Sequence, residues 1–193
     1  MLYGEMDEEP RFGLAGMNWQ NIVAQLRAQV VELSHHAKAA HLASSLSCID
    51  ILAVLYESVL RLKDDDPNWP NRDRFILSKG HAAAALYAVL ARKHILTNDQ
   101  LRSYGQEGSL LEEHPSPRLD GVEAATGSLG HGLSIGNGIA LGSRIQGQGF
   151  KVYVLLSDGE CNEGSTWEAL LLLPTLNLTN LLSFFFFYFR IKF

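Results

Sequence analysis

Between Trp19 and Lys38 the apolar residues Ile22, Leu26, Val30 and Leu33 return every third or fourth position, with polar residues between them. That is the period of one helix face, and it predicts an amphipathic helix over this stretch. Residues 1–17 carry no such period and are expected to form a polar-to-mixed leader. A second apolar helix is expected after Ser47, with Ile51 to Tyr56 as its body. The Ser47 hydroxyl and Asp50 three residues later resemble a capping arrangement for it. The aspartates and prolines between Lys63 and Asn71 predict a solvated loop.

The pattern then changes. Arg74-Phe75-Ile76-Leu77-Ser78 reads as a short buried strand, and an alanine-rich helix opens at Gly80. Residues 97–121 are expected to hold one short helix and a loop containing Pro115 and Pro117. Glycines crowd the stretch from Gly127 to Gly149. The clearest strand, Lys151 to Leu156, stops at Ser157-Asp158-Gly159; a helix follows near Glu163, and a last strand runs from about Leu181. Strands separated by helices indicate an α/β fold with a parallel sheet flanked by helices, without repeats or a second-domain linker. Ligands in such folds sit at the carboxyl ends of the strands. Both Ser78-Lys79-Gly80-His81 and Ser157-Asp158-Gly159 fall at such ends.

Composition narrows the classes. The chain has 193 residues, 47% of them hydrophobic and 19% charged, which fits one domain with a packed core. The net charge is −5 and the lysines and arginines are scattered singly, so no basic face exists for a nucleic-acid partner. Cys48 and Cys161 stand far apart without metal-ligand spacing, which suits a reducing cytoplasm. The acidic N-terminus has no apolar region of the signal-peptide kind. Leu170 to Phe193 has the length of a membrane span, but Pro174, Asn177 and Asn180 interrupt it, and its phenylalanines suit a strand, so no membrane partner is expected.

Three groups carry candidate chemistry. Asp158 stands where a strand stops, before Gly159, so its carboxylate can hold a Mg²⁺ that bridges diphosphate oxygens. The helix behind it offers N–H groups to a phosphate. The same local pattern serves equally for an aspartate that caps a helix. The stretch Thr126-Gly127-Ser128-Leu129-Gly130-His131-Gly132 lets the backbone approach a ligand but does not match the dinucleotide-binding fingerprint. Gly136, Gly138 and Gly142 beyond it read as a packing helix. His41, His81 and His114 lie in loops or between helices, where imidazoles bind phosphate or shuttle protons, although each alone is more often a core or surface residue. No histidine or cysteine spacing points to zinc.

Taken in order, Asp73 to His81, Thr126 to Gly132 and Ser157-Asp158-Gly159-Glu160-Cys161-Asn162-Glu163-Gly164-Ser165-Thr166-Trp167-Glu168-Ala169 resemble successive motifs of the transketolase family. The resemblance runs from about Asn18 to Leu181 and is to bacterial forms whose diphosphate-binding part is a separate N-terminal subunit. It implies a thiamine-diphosphate-binding α/β fold, incomplete at its C-terminus, with residues 18–181 as the partial domain and 182–193 as an aberrant apolar tail. It implies thiamine diphosphate and Mg²⁺ as cofactors, with Asp158 as the metal-binding aspartate and Gly159 as a backbone contact to the diphosphate. His81 matches a histidine near the diphosphate, and Gly127, Ser128 and Leu129 match the loop against the cofactor. His41 and His114 match histidines facing the sugars. Glu163 and Glu168 match acidic residues near the subunit interface and the cofactor.

The implied activity is transfer of a two-carbon ketol unit between sugar phosphates in the cytoplasm. The glutamate that activates the cofactor belongs to a second domain, so a separate C-terminal subunit in a homo- or hetero-oligomer is implied. Departures accompany the match: Ser157 stands for a glycine, Ala40 and Leu42 flank His41 where glycines are usual, and His131 takes the place of a glutamine. The family's second metal ligand, an asparagine, falls at about Tyr188, a poor ligand because its phenol is neutral near pH 7. The tail is therefore read as a truncated or frameshifted end. A non-catalytic remnant, a membrane-tethered protein and a related thiamine-diphosphate enzyme component are the alternatives.

Overall fold

Asn18 caps the first helix, its side-chain oxygen accepting the Asn21 N–H at 3.1 Å. The computed structural model describes residues 16–63 and 66–186, with the side chain of Phe186 left aside. Helix α1 (Trp19–Ala37) buries Ile22, Leu26, Val30 and Leu33, the face its period predicts.

Helix α2 (Leu42–Val54) starts earlier than expected. The Ser47 hydroxyl does not cap; it donates to the Ser44 carbonyl one turn back at 2.8 Å. Asp50 is exposed and pairs with Arg27 of α1 at 2.6 Å. A serine that satisfies itself within the helix lets the helix run through it, which is how the capping reading fails. After Val54 the helix widens into a π-turn, Leu55–Val59. Leu42–Val59 is the one described helical stretch with the length and mean hydropathy (1.5) to cross a membrane. It is also wedged against α1 and α3 with Cys48, Ile49, Leu52 and Ala53 fully buried, as in a core helix.

Strands β1 (Arg74–Leu77), β2 (Val152–Ser157) and β3 (Leu181–Phe186) form one parallel sheet in the order β1-β2-β3. Arg74 pairs with Val152 and Val152 with Leu181. Alternation along the strands divides the core. Phe75, Leu77, Tyr153 and Leu155 pack with α1, α2 and α3 (Ala83–Arg92), while Ile76, Val152, Val154 and Leu156 pack under α5 (Gly132–Ile145) and α6 (Gly164–Thr175). The short α4 (Asn98–Arg102) lies between α3 and α5 in the chain and carries a full capping box from Thr97 and Gln100.

The expected boundary at residue 181 falls inside the sheet. Leu182 to Phe186 continue the β2 ladder, Phe184 stacks on Tyr153 with ring centroids 6.4 Å apart, and Phe185 packs on the core beneath α5. The leucines from Leu170 close α6, the chain turns at Asn177 (φ 49°), and the strand follows, so Leu170 to Phe186 is not one span. Tyr188 and the rest of residues 187–193 lie outside the described residues.

A buried carboxylate ties the amino ends of the sheet. Asp73 accepts from the Arg61 N–H at 2.9 Å, the Arg61 guanidinium at 3.0 Å and the Lys151 N–H at 2.8 Å. On the other face, Gly136 lets α5 sit across all three strands. A Cβ there would lie 2.7 Å from Val154, 3.4 Å from Leu181 and 3.6 Å from Ile76. Gly138 and Gly142 face open space, so packing explains the first of the three glycines and not the others. Gly136→Ala should therefore cost about 1–2 kcal/mol of stability even after its gain in helix propensity. Gly138→Ala should add about 0.5–1 kcal/mol. Urea midpoints measured side by side check this pair, and shifts in the same direction would remove the packing account.

Candidate functional site

The carboxyl ends of β1 and β2 adjoin, and three segments meet over them. After β1 come Ser78 and Lys79 and a 3₁₀ turn, Gly80–Ala82. The loop from Thr126 to Gly132 lies directly across that end. Thr126 Oγ1 donates to the Leu77 carbonyl at 2.6 Å, and a Cβ on Gly80 would sit 2.3 Å from the Thr126 carbonyl oxygen. Only glycine at position 80 allows this approach.

After β2 come Ser157 and Asp158 and a second 3₁₀ turn, Gly159–Asn162. Asp158 is exposed, and one carboxylate oxygen accepts the Gly159 N–H at 2.9 Å. The capping function that its pattern allowed is thus present, on the short turn, while the carboxylate still faces outward. Leu129 comes against Gly159, its Cδ1 3.7 Å from where a Cβ would stand.

Gly130 takes a positive φ of 83° and lies against the start of α6. Its carbonyl accepts from Ser165 at 3.0 Å, and a Cβ would meet Glu163 at 2.7 Å. Glu163 is therefore beside the glycine loop. Glu168, further along α6, is exposed and outside this hydrogen-bond network. His131 is exposed at the start of α5.

The three histidines come together from three parts of the chain. The His41 ring, at the start of α2, lies 5.3 Å from that of His81 and 6.1 Å from that of His114. His114 packs against Gly127, where a Cβ would be 2.6 Å from its ring. Partial burial, then the positive charges of Lys79, His41 and His114, hold the His81 imidazole below its ordinary value of 6.5, with Glu160 opposing. Lys79 is itself buried and donates to Ser47 at 3.0 Å.

One residue acquires a place that its motif did not announce. Glu160 is completely buried. One carboxylate oxygen accepts from the Ser78 hydroxyl and from the Gly130 N–H at 3.1 Å. The other accepts from the Ser157 N–H at 2.8 Å and the Ser157 hydroxyl at 3.4 Å. In the sequence it is a glutamate in a glycine-bounded turn, a pattern that ordinarily signals solvent. The one available clue was its position directly behind a strand end full of unpaired N–H groups.

The comparisons with known proteins agree with this geometry. The profile described as "Transketolase, thiamine diphosphate binding domain" matches residues 18–187, six residues beyond the expected boundary. One of the two subunits named for apulose-4-phosphate transketolase in Phocaeicola vulgatus is 40% identical over 157 residues, covering 81% of this chain and 56% of that protein. Human transketolase is 40% identical over 160 residues, covering 82% of this chain and 26% of the human one. The crystal structure of transketolase from Campylobacter jejuni superposes with a TM-score of 0.82 at 31% identity, over 88% of this chain and 28% of that one. This chain thus spans about half of the Phocaeicola relative and about a quarter of the long ones. Matched by that profile over nearly all its described length and folded like its relatives, the chain belongs to the transketolase family, in the part that forms the thiamine diphosphate binding domain.

Proposed function

We propose that this chain holds the magnesium diphosphate end of thiamine diphosphate in a transketolase, and that a separate C-terminal subunit completes the site. The observation that carries the reading is the meeting of Asp158, the Gly127–Leu129 loop and three histidines over two adjoining strand ends. Nothing inside the protein requires glycine at position 159, since a Cβ would make only ordinary contacts at 3.7 and 3.8 Å. The absent side chain is room for a ligand. Asp158 would hold Mg²⁺, a cation that commonly takes one or two carboxylates and completes its shell with phosphate oxygens and water. When bound, thiamine diphosphate supplies the nucleophilic carbon and electron sink for moving a two-carbon ketol unit between sugar phosphates.

The chain's own residues would do the rest. Backbone at Gly127, Ser128, Leu129 and Gly159 lines the diphosphate, His81 offers it an imidazole, and His41 and His114 face the sugar. The Phocaeicola relative, whose name makes it one subunit of its transketolase, supports a split enzyme. The outer face of α6 supports an assembly, because Trp167 and Leu171 are 53% and 74% exposed beside Glu163 and Glu168.

Three outcomes test the reading. The purified chain should show no ketol transfer by itself and acquire it on mixing with a matching C-terminal subunit; turnover by the chain alone contradicts it. Asp158→Ala should abolish Mg²⁺-dependent thiamine diphosphate binding, yet change stability by less than about 0.5 kcal/mol, as expected for an exposed side chain. Calorimetric affinity equal to that of the unmodified chain would rule Asp158 out as the metal ligand. In NMR titrations His81 should protonate below 6.5. Added Mg²⁺–thiamine diphosphate should raise that midpoint, because an anion favours the imidazolium. An unmoved His81 would place the diphosphate elsewhere.

A further inference from the structure

The three segments that form the site are tied together by a single side chain. Ser78 lies at the end of β1, Gly130 in the glycine loop and Ser157 at the end of β2, and all of them donate to the Glu160 carboxylate. We infer that Glu160 is a positioning residue, holding the glycine loop and the Asp158 turn at the separation that a diphosphate needs. The inference rests on the reading of the site given above.

The donor set determines what can occupy position 160. Four bonds arrive at two oxygens, every one of them from an N–H or O–H group. An ionised carboxylate is acceptor-only and matches such a set; an amide would turn an NH₂ group toward at least one N–H. A shorter aspartate would fall a methylene short of the loop. Because the carboxylate is buried, removing its partners or altering it leaves polar groups unpaired away from water, so the arrangement is held strongly. Asp158 is two residues away and Leu129 one residue from Gly130. A slack Glu160 would therefore move both walls of the site without touching a ligand. Ser157, where the family has glycine, adds the fourth donor and belongs to this chain's version of the clamp.

The test is Glu160→Gln in the full chain, read by amide hydrogen exchange and by titration with Mg²⁺–thiamine diphosphate. Exchange at Gly130 and Ser157 should accelerate about tenfold or more, with Val154 in the middle of β2 unchanged. Affinity should fall about tenfold or more, the effect of losing charge-assisted bonds that hold the loop. Faster exchange with unaltered affinity would make Glu160 merely structural and overturn the inference, as would no change in either. If the unmodified chain fails to bind, the diphosphate reading falls and takes the positioning role with it, while the exchange arm still shows whether Glu160 joins the three segments. Should Glu160→Gln not fold, Ser78→Ala removes one donor and keeps the charge. It should move both readouts in the same direction by a smaller factor, and its failure to do so would also overturn the inference.

Discussion

A carboxylate with no exposure to water persists only when its oxygens are filled by donors, and Glu160 obtains them from three separate stretches of chain. That requirement acts on the chain in reverse. Ser78, Gly130 and Ser157 must be where the carboxylate can reach them, so the ends of β1 and β2 and the glycine loop share one geometry. Asp73 does the same at the amino ends of those strands, through Arg61 and Lys151. The short parallel sheet is thus pinned at both ends by buried acids.

Parallel pairing explains why the site is there. Strands running in one direction bring their carboxyl ends to the same edge, and the connecting helices cover both faces, leaving that edge for ligands. Residues far apart in the chain meet there: His41 before α2, His81 after β1, His114 and Gly127 in the long connection, and Asp158 after β2. Close backbone approach makes the meeting possible. Gly80 lies on the Thr126 carbonyl, and Gly136 lets α5 rest on all three strands.

Much of this was legible from the residues. The period of α1, the runs of β1 and β2, and the parallel α/β class follow from spacing alone, because burial repeats regularly in helices and strands. The start of α2 was not legible: serine is ambiguous between a cap and an interior residue, and Ser47 bonds to Ser44 inside the helix. The phenylalanine run looked foreign, yet through Phe186 it is an in-register strand, since parallel pairing with β2 depends on a neighbour that local pattern does not reveal. Among the site residues, the histidines and Asp158 were found through motif resemblance, and the structure brings them to one place. Glu168 stands apart from the network. Glu160 carried no signal of its own, because a buried acid and a solvated one are the same letter until the donors around it are known.

The central claim is that this chain's own strand ends hold a magnesium diphosphate. Phosphorus NMR of thiamine diphosphate added to the purified chain tests it most directly, because it reports the diphosphate itself and detects weak binding. Addition of protein in the presence of Mg²⁺ should shift and broaden both phosphorus resonances, and chelating the metal should return them to the positions of the free cofactor. Resonances that stay at their free positions and widths at saturating Mg²⁺ would contradict the account.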